Sequence, residues 1–212
     1  MGTPENMEAV AIVFTNVLRS AINLKKAQSI SKLKSSPKLT ICAAYDTLSS
    51  EVVPVEYHKQ LLQTDFMALS KFGALPSFIP LYIGMPVILK ARNLSTDLKI
   101  TNGSKGIVRH VSVKQSSFDL TSAKAALIKF SDSPIKCSHL PPGYFLIEPI
   151  SWTFVTTLNN PDGTKTKNKI TRHQLPLEPA FSLTSYGCQG QTINKVLADL
   201  QIEGFSTYVQ AS

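Results

Sequence analysis

An α/β fold with a small β-barrel set into it is what the sequence predicts, and three observations carry that expectation. Strand-like and helix-like runs alternate over roughly the first seventy residues, which argues for a layered α/β arrangement with a parallel sheet. Five short β-rich runs then come between residues 87 and 156, with turn signals among them, the spacing of a small barrel. From Ala180 onward the chain returns to an α/β pattern. Its 212 residues, 43% of them hydrophobic, suffice for one such domain or two small ones.

Each element has its own signal. Apolar, β-branched runs at residues 9–14 and 39–44 read as buried strands, with a helix between them over about 16–26. A second helical stretch covers 55–69. Residues 72–89 carry no charge at all, but Pro76, Pro80 and Pro86 would break a membrane-spanning helix, so this stretch is expected to be a buried loop and strand. Strands are expected at 87–91, 106–113, 125–130, 144–147 and 152–156. Asn102-Gly103, Ser133-Pro134, Pro141-Pro142-Gly143 and Asn160-Pro161-Asp162-Gly163 mark turns among or after them. Near the end come a turn at Gln189-Gly190 and a strand at 195–200.

Charge narrows the function. The chain carries a formal net charge of +8, and residues 90–172 alone hold 13 Lys/Arg against 5 Asp/Glu, so the excess sits on the expected barrel and the residues flanking it. A basic segment in a neutral frame is what phosphate-backbone binding requires, because each cation that meets a phosphate releases condensed counterions. A solvated lysine-rich surface gives the same count. Three scattered cysteines, Cys42, Cys137 and Cys188, imply no disulfide framework and fit a reducing, intracellular compartment. The first nineteen residues lack a basic n-region and carry Glu5 and Glu8, which does not read as a secretory signal. Cys137-Ser138-His139 is half a zinc site without a second pair, and no metal ligands are assigned. His173, beside Arg172, is a candidate nucleic-acid contact.

Three segments stand in a fixed order. Leu81-Tyr82-Ile83-Gly84-Met85-Pro86-Val87-Ile88-Leu89 precedes Thr101-Asn102-Gly103-Ser104-Lys105-Gly106, where Asn102-Gly103 suits a tight turn and Gly106 a close backbone approach. Arg172-His173-Gln174-Leu175-Pro176-Leu177 leads into Ala180-Phe181-Ser182-Leu183-Thr184-Ser185-Tyr186-Gly187-Cys188-Gln189-Gly190-Gln191-Thr192. Val196-Leu197-Ala198-Asp199-Leu200 is followed by residues 204–212, ending Gln210-Ala211-Ser212. Together these resemble the C-terminal part of PIF-family DNA helicases, a RecD-like branch of superfamily I that includes the Helitron transposon enzymes. Residues 11–19 with Asn23 are similar, more loosely, to motif IV of the same family.

That resemblance implies a second RecA-like motor domain with an inserted SH3-like barrel: the first part of the motor domain at 1–102, the barrel at 103–169 and the remainder at 170–212. In the family, motif V touches the single-stranded backbone and couples it to nucleotide, a role carried over to Thr184, Gln189, Gly190 and Thr192. Many relatives place a histidine and a lysine where this chain has Tyr186 and Gly187, which leaves Tyr186 two readings, a ring that stacks on a base or sugar or a buried tyrosine with a satisfied hydroxyl. For Thr184, Gln189, Gly190 and Thr192 the alternative is that their polar groups cap a helix start. Lys105, Arg109, Lys165, Lys167, Lys169 and Arg172 are the expected phosphate contacts.

ATP and magnesium enter by resemblance only. The sequence holds no Gly-x-x-x-x-Gly-Lys-Ser/Thr loop and no acidic pair closing an apolar strand. In the family both lie in a first motor domain, which would precede Met1, and the motif VI arginine would follow Ser212. The chain alone is therefore expected to hold neither ligand tightly, to have no catalytic residues and not to hydrolyse ATP. Its expected partners are single-stranded DNA and that missing first motor domain. The alternative is a non-catalytic nucleic-acid-binding remnant of a transposon helicase, and a third class is a barrel that binds protein only.

Overall fold

A computed structural model describes residues 9–33, 37–64, 74–90, 94–115, 119–188, 193 and 195–198. Along the chain run β1 (Val10–Val13), α1 (Asn16–Ser31), β2 (Thr40–Ala43), β3 (Tyr45–Leu48), β4 (Glu51–Val52) and α2 (Val55–Gln63). Next come β5 (Phe78–Leu81), β6 (Pro86–Leu89), β7 (Lys105–Gln115), β8 (Thr121–Lys129), β9 (Tyr144–Ile147), β10 (Ile150–Asn159) and β11 (Lys165–Gln174). The last elements are β12 (Leu177–Pro179), β13 (Ser182–Thr184), α3 (Ser185–Cys188) and β14 (Val196–Ala198). Two compact units result, one from Met1–Ser36 with Pro179–Ser212, the other from Pro37–Glu178.

The first unit is the α/β layer. β1 is flanked by β13 and β14, both parallel to it, so the expected parallel sheet is present. α1 starts where Thr15, in extended backbone, accepts a hydrogen bond at Oγ1 from Leu18 N at 3.2 Å, an N-cap that satisfies one of the orphan amides of the first turn. Arg19, Asn23 and Ala27, spaced by four, form its buried stripe. Asn23 ties helix to sheet: its Nδ2 donates to Ser182 O at 3.2 Å and its Oδ1 accepts from Ser182 N at 2.8 Å. The helix runs to Ser31, past the expected end at 26, because Ala27 continues the stripe and nothing beyond it breaks a helix.

The second unit is built from antiparallel ladders. One sheet has the order β12-β6-β7-β8-β9, another β10-β11-β3-β4, and β2 pairs with β5 alone. No ladder closes into a ring among the described residues, so no closed barrel is found and the strands of this unit lie in open sheets. Residues 165–169 of β11, at the end of the expected barrel segment, pair with β10, and the same strand runs on into residues 170–173, which take β3 as a second neighbour from well before that segment. Where β6 meets β7, the turn signal holds, with Gly103 at φ +89°. A Cβ at Gly106 would collide with Ile128 Cγ2 and meet Lys129 O at 3.2 Å, so only glycine lets β7 and β8 approach this closely.

α2 holds the β10–β11 hairpin from one side. Val53, Leu61, Phe154, Leu158 and Ile170 form a buried cluster there, and burying each large side chain contributes about 1.5–3 kcal/mol. Gln60 adds a rung: its Nε2 donates to Asn159 O and its Oε1 accepts from Asn159 N, both at 2.9 Å. No helix among the described residues is long and apolar enough to cross a membrane.

Candidate nucleic-acid interface

β11 has two faces of opposite character, set by the period-two alternation of a strand. Lys165, Lys167 and Lys169 point to solvent with Thr171 and His173 following in the same row, whereas Ile170, Arg172 and Gln174 are buried. On neighbouring β10 the register sets Asn159, Thr157, Val155, Thr153 and Ser151 beside that outer row. Across β3 the same row meets Thr47 and Tyr45. No carboxylate shares this face along β10, β11 and β3, so nothing on it neutralises the three lysines. Thr153 and Thr171 pair their hydroxyls at 3.1 Å, which keeps the middle of the face polar but occupied.

Arg172 departs from expectation. It lies on the inner face with no exposed surface, and its guanidinium grips Asp46 in a fork, Nε to Oδ1 at 2.8 Å and Nη2 to Oδ2 at 2.9 Å. Nη1 donates to Ser77 Oγ at 2.9 Å and Nη2 also donates to Leu61 O at 3.0 Å. The ring of Phe154 lies 5.7 Å from its centre, and His58 Nε2 stands 4.0 Å from the far oxygen of Asp46. A phosphate could reach this arginine only by unfolding the cluster that satisfies it. Its chemistry is structural: it binds β11 to β3, α2 and the turn before β5.

The other basic positions fall into two groups. Lys165, Lys167 and Lys169 form one row on β11. Lys105 and Arg109 are exposed near the start of β7, in a different sheet, and Arg109 falls where the register with β8 shifts between Val108 and His110. At the far end of β7, Lys114 places its Nζ 4.7 Å from the centre of the Tyr45 ring, and Tyr45 faces His173 across the β3–β11 register with centroids 5.9 Å apart. Tyr45 and Lys114 escape sequence reasoning, because only the long-range pairing of β3 with β11 brings Tyr45 to His173 and only the fold brings Lys114 of β7 to the Tyr45 ring.

In the first unit, Thr184 ends β13 and its Oγ1 accepts from Gly187 N at 3.2 Å, capping the start of α3. That is the helix-cap role open to it from the sequence, and its hydroxyl is engaged by the fold. Tyr186 lies within α3. Gln189, Gly190 and Thr192 lie outside the described residues. Among the described residues no three His, Cys, Asp or Glu side chains gather closely enough to hold a metal ion. Burial pushes the Cys42 thiol up to about 11, which leaves it a protonated packing group at neutral pH.

No protein-family model matches the chain, and no curated protein matches it by sequence. Solved structures do match its fold. The Pif1 helicase of Candida albicans superposes with a TM-score of 0.57 at 22% identity, over 99% of this chain and 44% of that one. Bacteroides Pif1 bound to single-stranded DNA gives a TM-score of 0.58 at 14% identity, over 99% of this chain and 39% of that one. The Bacteroides enzyme in complex with ADP-AlF3 and single-stranded DNA gives 0.56 at 14% identity, over 100% and 39%. This chain spans less than half the length of each, and its fold is that of part of a Pif1 helicase.

Proposed function

We propose that the chain is the C-terminal motor and single-stranded-DNA-binding portion of a Pif1-like, ATP-dependent DNA helicase of the RecD-like, Helitron-type branch. The likeness to Pif1 helicases over essentially the whole chain is the observation that carries this reading. Two of those relatives were solved with single-stranded DNA, which supports the same partner here. In this reading the parallel sheet of β1, β13 and β14 belongs to the second RecA-like domain, and the inserted SH3-like module is residues 103–169, which hold β7 to β10 and the first half of β11. Motif V, with Thr184, Tyr186, Gln189, Gly190 and Thr192, couples strand to nucleotide. A first motor domain supplies the ATP and magnesium site.

Lys105, Arg109, Lys165, Lys167 and Lys169 grip the backbone without reading bases, since lysine and arginine on phosphate position a strand rather than specify its sequence. Fluorescence anisotropy of a labelled oligothymidylate, titrated from low to high sodium chloride, tests this. Five phosphate contacts on a single strand give a slope of log K against log salt of about −3 to −4. Binding that ignores added sodium chloride, or no binding at low salt, overturns the assignment.

A further inference from the structure

Tyr45, His173 and Lys114 come from three strands and line one shallow depression of about 260 Å³. Pro149 lines it too, together with the buried Ser122 and Gln174. Gln174 is already committed, its Nε2 donating to Cys42 O at 3.1 Å and its Oε1 accepting from Leu175 N at 3.0 Å. The groups left to meet a ligand are two aromatic rings, an ammonium and the Ser122 hydroxyl. The rings are tilted by 48°, an open wedge rather than a closed stack, and Lys114 stands over one face of the tyrosine.

We propose that this depression seats one nucleobase of a single strand whose backbone runs along the lysine face of β11. The inference rests on the single-strand-binding reading above and locates its base contact. Size fits: the volume is below the about 300–1,000 Å³ of pockets for drug-sized ligands and suits one ring system. Chemistry fits as well, because every base offers a π-face to an aromatic platform, whereas the depression has no fixed fork of donors to read a base edge. Lys114 is exposed on a flexible four-carbon stem, so it can leave the tyrosine face and meet the phosphate beside the seated base.

Position gives the remaining argument. His173 is the last residue of the row that begins with Lys165, Lys167 and Lys169, and side chains in such a row recur about every 6.6–6.8 Å, the scale of one nucleotide of extended strand. The depression thus lies at one end of a cationic track on the same sheet face. Stacking on Tyr45 and His173 fixes where the strand enters that track, and the lysines hold the nucleotides beyond it.

The test compares a labelled oligothymidylate with an abasic oligonucleotide of the same length, at one salt concentration, on the full 212-residue chain. The unsubstituted chain is expected to prefer the base-bearing strand by about tenfold, the scale of one base on one aromatic ring. Tyr45→Ala should erase that preference while leaving abasic binding unchanged, and Tyr45→Phe should keep it. Equal weakening toward both strands, or no change toward either, overturns the base seat while leaving single-strand binding intact. If the unsubstituted chain binds neither strand, both proposals fall together. Photocrosslinking of the unsubstituted chain to an oligonucleotide carrying 5-iodouracil needs no variant to fold: adducts should map to peptides carrying Tyr45 or His173, and adducts confined to other peptides overturn the proposal.

Discussion

The two faces of β11 carry the same kind of side chain to opposite ends. Lys165, Lys167 and Lys169 stand in solvent on one face, and Arg172 on the other is sealed against Asp46 with no exposed surface. All four are equal as charges in the sequence. Parity separates them: Arg172 shares the face of Ile170 and Gln174, and a strand with one buried face assigns every second residue to it. A count of cations measures the potential for phosphate binding, but the pleat decides which cations can exercise it.

The sharpest way to break the comparison is to truncate the buried member. Arg172→Ala leaves Asp46 buried without its fork and removes donors from Ser77 and Leu61, and breaking a buried pair from one side costs about 3–5 kcal/mol. Urea denaturation should show most of a typical domain's margin gone. Arg172→Lys should rescue little, because a point charge cannot replace the two-pronged contact with the carboxylate. Replacing both partners, Arg172→Met with Asp46→Leu, should be milder than Arg172→Ala alone, since no orphan charge remains. A cost below about 1 kcal/mol for Arg172→Ala would mean that this arginine faces water after all.

Next in size is the outer face, where the effect should show up in binding and not in stability. Replacing Lys165, Lys167 and Lys169 together by alanine should move the unfolding free energy by no more than about 0.5 kcal/mol per site, as for ordinary surface positions. The same variant should lower the magnitude of the salt slope for single-stranded DNA by about 2, three contacts at about 0.7 each. Stability lost with the slope unchanged would reverse the roles of the two faces.

Legibility in the sequence divides along the same line. β9 is readable at its observed bounds, and β1, β2 and most of β7 are readable too, because apolar β-branched runs that pack into a core announce themselves. β11 is invisible as a strand: KTKNKITRHQ has a single large aliphatic residue, Ile170, and its extended form is imposed by the ladders to β10 and β3. With the strand unseen, no parity can be applied, and Arg172 groups with the lysines by charge alone. The entry of β3 into the same sheet from far upstream is unreadable for a related reason, since local turn spacing cannot report so distant a partner. Gly103 and Gly106 are readable because backbone sterics are local. Tyr45 is not, because its functional neighbours arrive only with the fold.

The smallest effect concerns the turn that keeps the faces in register. The tip of the β10–β11 hairpin is held by Asp162, whose Oδ1 accepts from Thr164 N at 2.9 Å and Thr164 Oγ1 at 2.6 Å, and by Gly163 at φ +83°. The hydrogen bonds from Thr164, side chain first and backbone second, favour the ionised carboxyl and hold its pKa below the usual aspartate value. A group depressed in the folded state contributes stability above its unfolded pKa, about 3.9 for aspartate, and loses it as pH falls through the lower folded value. Asp162→Ala should therefore melt slightly below the unsubstituted chain at neutral pH, with the gap narrowing only below about pH 4. Since a one-residue slip would turn every lysine of β11 inward, the variant should also blur the salt slope for single-stranded DNA if this turn sets the register. A gap that persists undiminished into acid would assign the tip's stability to Gly163 and the Asn160 hydrogen bonds rather than to the carboxylate.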